Sequence, residues 1–358
     1  MSAHEILLYI MAGFAVLGAL DRILGNRIGL GKQFEEGILA MGALAMAMLG
    51  IITLAPVLAG LLRPVVVPVY SFLGADPAMF AGTILACDMG GASLARELTA
   101  DPAAALLGGI LAGSTLGATV VFTIPVAMGI LEEKDRPAMA KGVLCGIVTV
   151  PVGILVGGLV AGFSFGMILR NLIPVVLIAG AIAFGLWKWE RAMVTGFGWF
   201  GKGVVALITV GLAAAIVKAL TGFALIPGMA PIEDGFQTVG AIAIVLAGAF
   251  PLVWVLTRLL RRPLLALGRR LGINDTAAAG LIATLANSIA TFGMVKDMDD
   301  RGKVVNVAFA VSAAFVFGDH LGFTAGFAPE MLPAMILGKL AGGITAVAVA
   351  LLLTRKEK

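Results

Sequence analysis

Phe-Glu-Glu-Gly-Ile-Leu-Ala-Met-Gly at residues 34–42 returns, 198 positions later, as Ile-Glu-Asp-Gly-Phe-Gln-Thr-Val-Gly at 232–240. The register holds without a gap from 34–84 onto 232–282. It pairs Glu35 with Glu233, Gly37 with Gly235, Gly42 with Gly240, Gly50 with Gly248, Arg63 with Arg261, Gly74 with Gly272 and Gly82 with Gly280. Alanine and leucine coincide easily in an apolar chain, but aligned glycines and charges do not. A second block follows, from Pro137 to Thr149 onto Pro333 to Thr345, and it sets Gly142, Leu144 and Gly146 on Gly338, Leu340 and Gly342. Duplication of a hydrophobic polypeptide is the pattern of secondary transporters, whose site lies where the two halves meet.

Of the 358 residues 60% are hydrophobic and 13% charged, and the mean hydropathy is +1.06. A soluble domain of this length needs far more polar surface, so the composition predicts an all-α polytopic membrane protein. The apolar runs are unbroken instead of alternating, which excludes an outer-membrane barrel. A net charge of +4 does not point to nucleic acid, because the basic residues sit in short loops where they report orientation. Cys87 and Cys145 lie in apolar surroundings and are not expected to pair or to hold a metal. The opening Met-Ser-Ala-His-Glu lacks the basic region of a cleaved signal, so the first apolar segment is expected to stay as a helix. There is no P-loop, dinucleotide fingerprint, His-Glu-x-x-His motif or zinc spacing, so no cofactor, ATP-driven transport or enzyme activity is expected.

Long apolar segments run at 5–24, 36–62, 102–130, 137–163, 167–187, 203–224, 235–260, 303–327 and 331–353. Two others, 77–96 and 276–295, are interrupted by polar residues and Gly and occupy matching places in the halves, the best sequence pointer to a binding site. The basic tail at 355–358 and the loop with Arg258, Arg261, Arg262, Arg269 and Arg270 are expected inside the cell, as is the stretch with Lys296, Arg301 and Lys303. Both ends of 276–295 then fall on one face, so that segment is a re-entrant hairpin. Each arm, at 1.5 Å per residue, reaches roughly 15 Å, about half of the hydrocarbon core. Carried back along the chain, the same logic gives nine crossings, with the N-terminus periplasmic and the C-terminus cytoplasmic. The division is repeat 1 at 1–165, a linking helix at 166–190 and repeat 2 at 191–358, with the repeats inverted relative to each other. Eleven crossings with parallel repeats is the alternative, and it leaves a basic loop outside.

Ionisable and amide side chains within the membrane are expensive unless paired or hydrated. Asp88, in Ala-Cys-Asp-Met-Gly-Gly, falls at the tip of the first hairpin, where it serves a ligand or caps a half-helix. Asn287 and Ser288 fall at the tip of the second, and bonding between helices is as good a reading as ligand contact. Gly-Asp-His-Leu-Gly-Phe at 318–323 sets Asp319 beside His320 deep in an apolar run; Asp319 can hold a cation, and His320 can donate to an oxygen or take a proton. The rival reading puts the pair at the membrane edge as a helix cap. Gln33, Glu35 and Glu36 open a helix whose counterpart opens with Glu233 and Asp234. Acids there favour the helix dipole, and Glu35 or Glu36 also fits the lining of an entry path. Trp187, Trp189 and Trp199 read as interface anchors.

Gln-Phe-Glu-Glu-Gly at 33–37, Ala-Met-Gly-Ala-Leu-Ala at 40–45, Phe-Ala-Gly-Thr-Ile-Leu-Ala-Cys-Asp-Met-Gly-Gly at 80–91, Ala-Thr-Leu-Ala-Asn at 283–287 and Phe-Gly-Asp-His-Leu-Gly-Phe at 317–323 resemble one known family. It is the ethanolamine permease family encoded with bacterial ethanolamine-utilisation operons. The similarity runs over nearly the whole chain, which departs in having compact loops around 163–170 and 225–236. The resemblance implies uptake of ethanolamine across the bacterial inner membrane, feeding a cobalamin-dependent lyase. Ethanolamine is a primary amine, mostly protonated near neutral pH, and needs an anionic or cation–π site away from water. Asp88 or Asp319 would pair with the ammonium, Phe323 or Phe34 would supply an aromatic wall, and Asn287 and His320 would take the hydroxyl. The partners implied are ethanolamine and the lipid bilayer; a homo-oligomer is compatible with the apolar faces but not required by them. A cation-coupled carrier of another small metabolite, such as a nucleoside, would share the repeats and hairpins. A membrane-embedded enzyme or sensor would need a nucleophile and base at a recognisable spacing, which the chain lacks.

Overall fold

The structure is a computed structural model that describes residues 1–354, without the side chains of Leu260, Arg261, Leu264 and Leu267. The basic tail at 355–358, used above to orient the C-terminus, lies outside the described residues. The described residues are helical, with no strand among them. We number the helices α1 (Ala3–Ile23), α2 (Leu30–Phe72), α3 (Ala78–Ile84), α4 (Gly91–Leu98), α5 (Pro102–Ile130), α6 (Arg136–Ile147), α7 (Val150–Val160) and α8 (Phe165–Thr221). Then come α9 (Ile232–Leu271), α10 (Asp275–Ala286), α11 (Ser288–Met294), α12 (Asp300–Ala313), α13 (Asp319–Phe327) and α14 (Leu332–Leu353). Seven stretches among the described residues are long and apolar enough to cross a membrane.

Local chemistry sets the helix ends. Ser2 and Glu5 form a capping box that starts α1, and the Asp21 carboxylate accepts the N–H groups of Ile28 (3.0 Å) and Gly31 (2.9 Å) to staple α1 to α2. That staple, with Gly29 in a left-handed conformation (φ +88°), starts α2 at Leu30, so Glu35 and Glu36 lie in its second turn and not in its first. Glu233 and Asp234 do occupy the first turn of α9. The arginine-rich stretch after residue 258, expected as a loop, continues α9 as helix to Leu271; arginine is a good helix former and favours the C-terminal dipole, and left-handed Gly272 ends it. The segments 167–187 and 203–224 are joined in α8, which bends at Trp189 (φ −135°, ψ 49°).

The duplication is visible in contacts. An added Cβ at Gly37 would come within 2.5 Å of the Leu246 carbonyl, and one at Gly235 within 2.6 Å of Leu49, so α2 and α9 cross antiparallel with backbones nearly touching. Moved by one repeat, Gly37 falls on Gly235 and its other close neighbour, Ala247, falls on Leu49. Likewise Gly50 lies on α8 at Ile208 and Gly248 on α1 at Met11. In a bilayer, where burial of apolar surface does not drive helices together, such glycine seams let backbones approach and supply the packing.

Both interrupted segments fold back on themselves. Thr291 of α11 donates to the Gly280 carbonyl (2.9 Å) and lies 2.8 Å from the Thr284 hydroxyl, a pairing a straight helix could not make across eleven residues. The ends of that hairpin meet, since the Asn274 amide donates to the Asp297 carbonyl (3.0 Å) and its backbone N–H to Asp299 (2.8 Å). In the first half the equivalent residues meet too: Thr99 donates to the Asp76 carboxylate at 2.8 Å. Asp76 and Asn274, one repeat apart, each also cap the helix that follows, through the N–H groups of Ala78 and Ala277.

Candidate functional site

Residues 314–318 separate α12 from α13, and backbone groups freed inside a bilayer must find partners within the protein. Phe315 donates its N–H to the Thr284 carbonyl (3.1 Å) and Phe317 donates to Leu285 (2.8 Å), lacing the break to the tip of the α10–α11 hairpin. Gly318 completes the contact, as a Cβ there would lie 2.1 Å from the Ala286 carbonyl. Phe315 is held at φ +62°, a strained conformation for a bulky residue, of the kind that gathers at functional sites. One repeat earlier, the matching stretch of α5 is not broken but widened into π-helix over Leu107–Gly117 and Thr119–Thr123. Gly113 and Gly117 there let the tip of the α3–α4 hairpin lie against it at Cys87 and Leu85.

The two tips therefore converge on the start of α13. His320 is buried, and its Nε2 stands 3.8 Å from Oδ1 of Asp88, whose side chain is 17% exposed. That separation is too long for a hydrogen bond and leaves both groups able to take another partner. Nδ1 of His320 is buried and unpartnered, and the Phe315 ring lies 5.4 Å from the imidazole. Cys87 Sγ, an Asp88 oxygen and a His320 nitrogen all lie within 4.8 Å of one another, which is close enough to hold a metal ion in principle. Lys339 of α14, 1% exposed, reaches the same tip: it donates to the carbonyl of Ser114, which follows Gly113, the residue that packs on Cys87. A lysine head group at the donor set argues against a resident metal.

Asp319 faces the other way. With Gln33, Glu36, Trp254, Arg258 and Asn287 it lines a cavity of about 490 Å³ between α2, α9 and the second tip. The Arg258 guanidinium lies 3.5 Å over the Trp254 ring, and Gln33 donates to Glu36 at 3.1 Å. Consecutive residues on the first turn of α13 thus serve a buried charged cluster and an open cavity. On the opposite side, Arg96 of α4 lies 3.6 Å over Phe327 and donates to its carbonyl (3.1 Å), and Phe327 stacks on fully buried Phe323 with centroids 5.0 Å apart.

Of the residues singled out in the sequence, Asp88 and His320 come together, and Gln33, Asn287 and Asp319 share the cavity. Ser288 starts α11 beside Asn287, fully buried with its hydroxyl unpartnered. Phe323 belongs to the aromatic stack. The structure does not bring Glu35 to either place; it pairs with Arg22 at 3.3 Å on the surface. Lys339 escaped sequence reasoning that weighed acids, His and amides, although a lone lysine in the middle of the apolar helix Leu332–Leu353 was a signal in plain view. Arg258 enters the sequence reading only as loop charge, and Trp254 has no part in it.

Charged groups buried where broken helices meet, inside a multi-pass helical bundle, mark a membrane transport protein. The family model described as "Ethanolamine utilisation protein, EutH" matches residues 3–353, and the chain belongs to that family, as its motifs had suggested. A "Probable ethanolamine permease EutH" from Listeria monocytogenes is 59% identical over 356 residues, covering 99% of this chain and 95% of the relative. A protein of the same description from Escherichia coli K12 is 51% identical over 395 residues (100% and 97%), and the "Uncharacterized protein YxeR" of Bacillus subtilis is 52% identical over 354 residues (99% and 96%). No solved structure matches.

Proposed function

We propose that this chain is an ethanolamine permease of the bacterial inner membrane working by alternating access, with the ammonium held by Asp88 and the hydroxyl by His320. The observation that carries the reading is the Asp88–His320 pair at the meeting point of the two tips, 3.8 Å apart and without a hydrogen bond between them. A carboxylate and an imidazole at that spacing suit a small molecule with a cation at one end and a hydroxyl at the other. The printed names of the Listeria and Escherichia coli relatives point to the same substrate.

The architecture behind it has two inverted repeats, 1–165 and 191–358, joined through 166–190, with re-entrant hairpins. Antiparallel crossing of the equivalent helices α2 and α9 supports inversion, and the joined hairpin ends at Asp76/Thr99 and Asn274/Asp297 support re-entrance. Seven long stretches become nine crossings when α8 counts twice at its Trp189 bend and α12 with α13 counts as one broken crossing. Loop charge then sets the N-terminus outside and the C-terminus inside. In that frame the cavity with Gln33, Asn287 and Asp319 opens to the cytoplasm. The Arg96–Phe327–Phe323 stack closes the periplasmic side, so the conformation is inward-facing.

The test is uptake of labelled ethanolamine into proteoliposomes, with choline and propanolamine as competitors. Uptake above protein-free liposomes, little affected by the larger amines, is expected. Equal uptake in both preparations would end the assignment.

A further inference from the structure

Lys339 has no task in ethanolamine binding as described, yet it is an expensive side chain to keep where it is. Its ammonium carries three donors and has one acceptor, the Ser114 carbonyl on the π-helical stretch of α5. Among the described residues it forms no ion pair with a carboxylate, while its acceptor Ser114 follows Gly113, the residue against which Cys87 packs, so the head group lies at the tip that carries Asp88. A pair built for stability looks different: Lys303 and Asp135 are also largely buried and close directly at 2.7 Å. Lys339 is instead held by one backbone oxygen, at the end of a flexible four-carbon stem, with an unsealed carboxylate beside it.

The head group of lysine is a primary ammonium on a methylene, the same group that ethanolamine presents. We propose that Lys339 is a tethered stand-in for the substrate, neutralising Asp88 in the empty carrier and giving way to the ammonium of ethanolamine when it binds. This rests on the ethanolamine reading above and extends it to the return half of the cycle. Carrying an unpaired carboxylate through closure of both gates is costly in a low-dielectric interior. With Lys339 present, Asp88 is compensated in both halves of the cycle, by substrate on the way in and by the lysine on the way back.

Two fluxes in proteoliposomes separate these halves: ethanolamine exchange, in which the carrier crosses loaded both ways, and net uptake, in which it returns empty. For Lys339→Met, exchange is expected to persist while net uptake falls by about a hundredfold, the scale set by an uncompensated buried charge. Unchanged net uptake, or loss of both fluxes in protein that stays monodisperse, overturns the proposal. If Lys339→Met does not fold, Lys339→Arg decides, since it keeps the charge. Net uptake in the wild-type ratio to exchange supports the proposal, and exchange without net uptake overturns it. Wild-type protein that carries ethanolamine in neither mode overturns the substrate reading itself, and this proposal with it.

Discussion

Replacing Asp88 by Asn removes a charge and leaves the shape of the hairpin tip, so the change isolates what the carboxylate does for an ammonium ligand. Two unit charges about 3 Å apart attract by about 5 kcal/mol at an effective dielectric near 20. Stripping water from the ammonium and displacing the neighbouring Lys339 charge both oppose this. The net value should fall in the range of about 1.5–3 kcal/mol typical of hydrogen bonds to charged groups. Since about 1.4 kcal/mol is a factor of ten, KM for ethanolamine should rise about 10- to 150-fold in Asp88→Asn. The assay is initial-rate uptake of labelled ethanolamine over several decades of concentration, scaled to reconstituted protein. Asp319→Asn is the control, because Asp319 lines the cavity and stands outside the Asp88–His320 pair, so its expected part is to steer cations toward the site. Its effect should be only a few-fold and should shrink as salt is raised. If Asp88→Asn leaves KM unchanged while Asp319→Asn raises it tenfold, the ammonium belongs in the cavity and the assignment of the site is wrong.

Gly82→Ala should lower thermal stability in detergent by about 1–3 kcal/mol or more, because its Cβ would lie 1.8 Å from the Gly108 carbonyl; Gly42→Ala, with nothing within 4 Å, should be neutral or slightly stabilising. Equal melting temperatures for the two variants would remove the glycine seam from the account of the first hairpin. Phe327→Ala, made in a Cys145→Ser background, should open the periplasmic side by deleting the ring that Arg96 and Phe323 clasp. Cys87, fully buried, should then react with a membrane-impermeant maleimide added outside cells, and an unreactive Cys87 would count against that stack as the outer gate.

The fold was legible where the sequence carries a signal that packing cannot override. Of the glycines matched across the repeat, 37, 50 and 248 are points where backbones touch and 235 receives the Leu49 side chain, so that a Cβ would not fit at any of them. Their recurrence in the alphabet of the chain is the same fact as their recurrence in space. The interruptions at Asp88 and at Asn287 were legible for a related reason, since polar residues and glycines stop an apolar helix wherever they fall. Helix ends were less so. Whether Gln33 to Glu36 open α2 depends on Asp21, twelve residues earlier, taking the Gly31 N–H, and hydropathy contains no record of that bond.

The two halves also differ where it matters, and no single-repeat pattern could have foretold how. The stretch that is π-helix in α5 is a clean break before α13 in the second half, although the two occupy matching places along the chain. A widened turn keeps the chain helical and leaves the Ser114 carbonyl reachable for Lys339. A break lets Phe315 and Phe317 bond to the second tip and turns His320 toward the first. The matched helices supply the scaffold, and the asymmetry between the two halves brings one carboxylate, one imidazole and one lysine to the same tip.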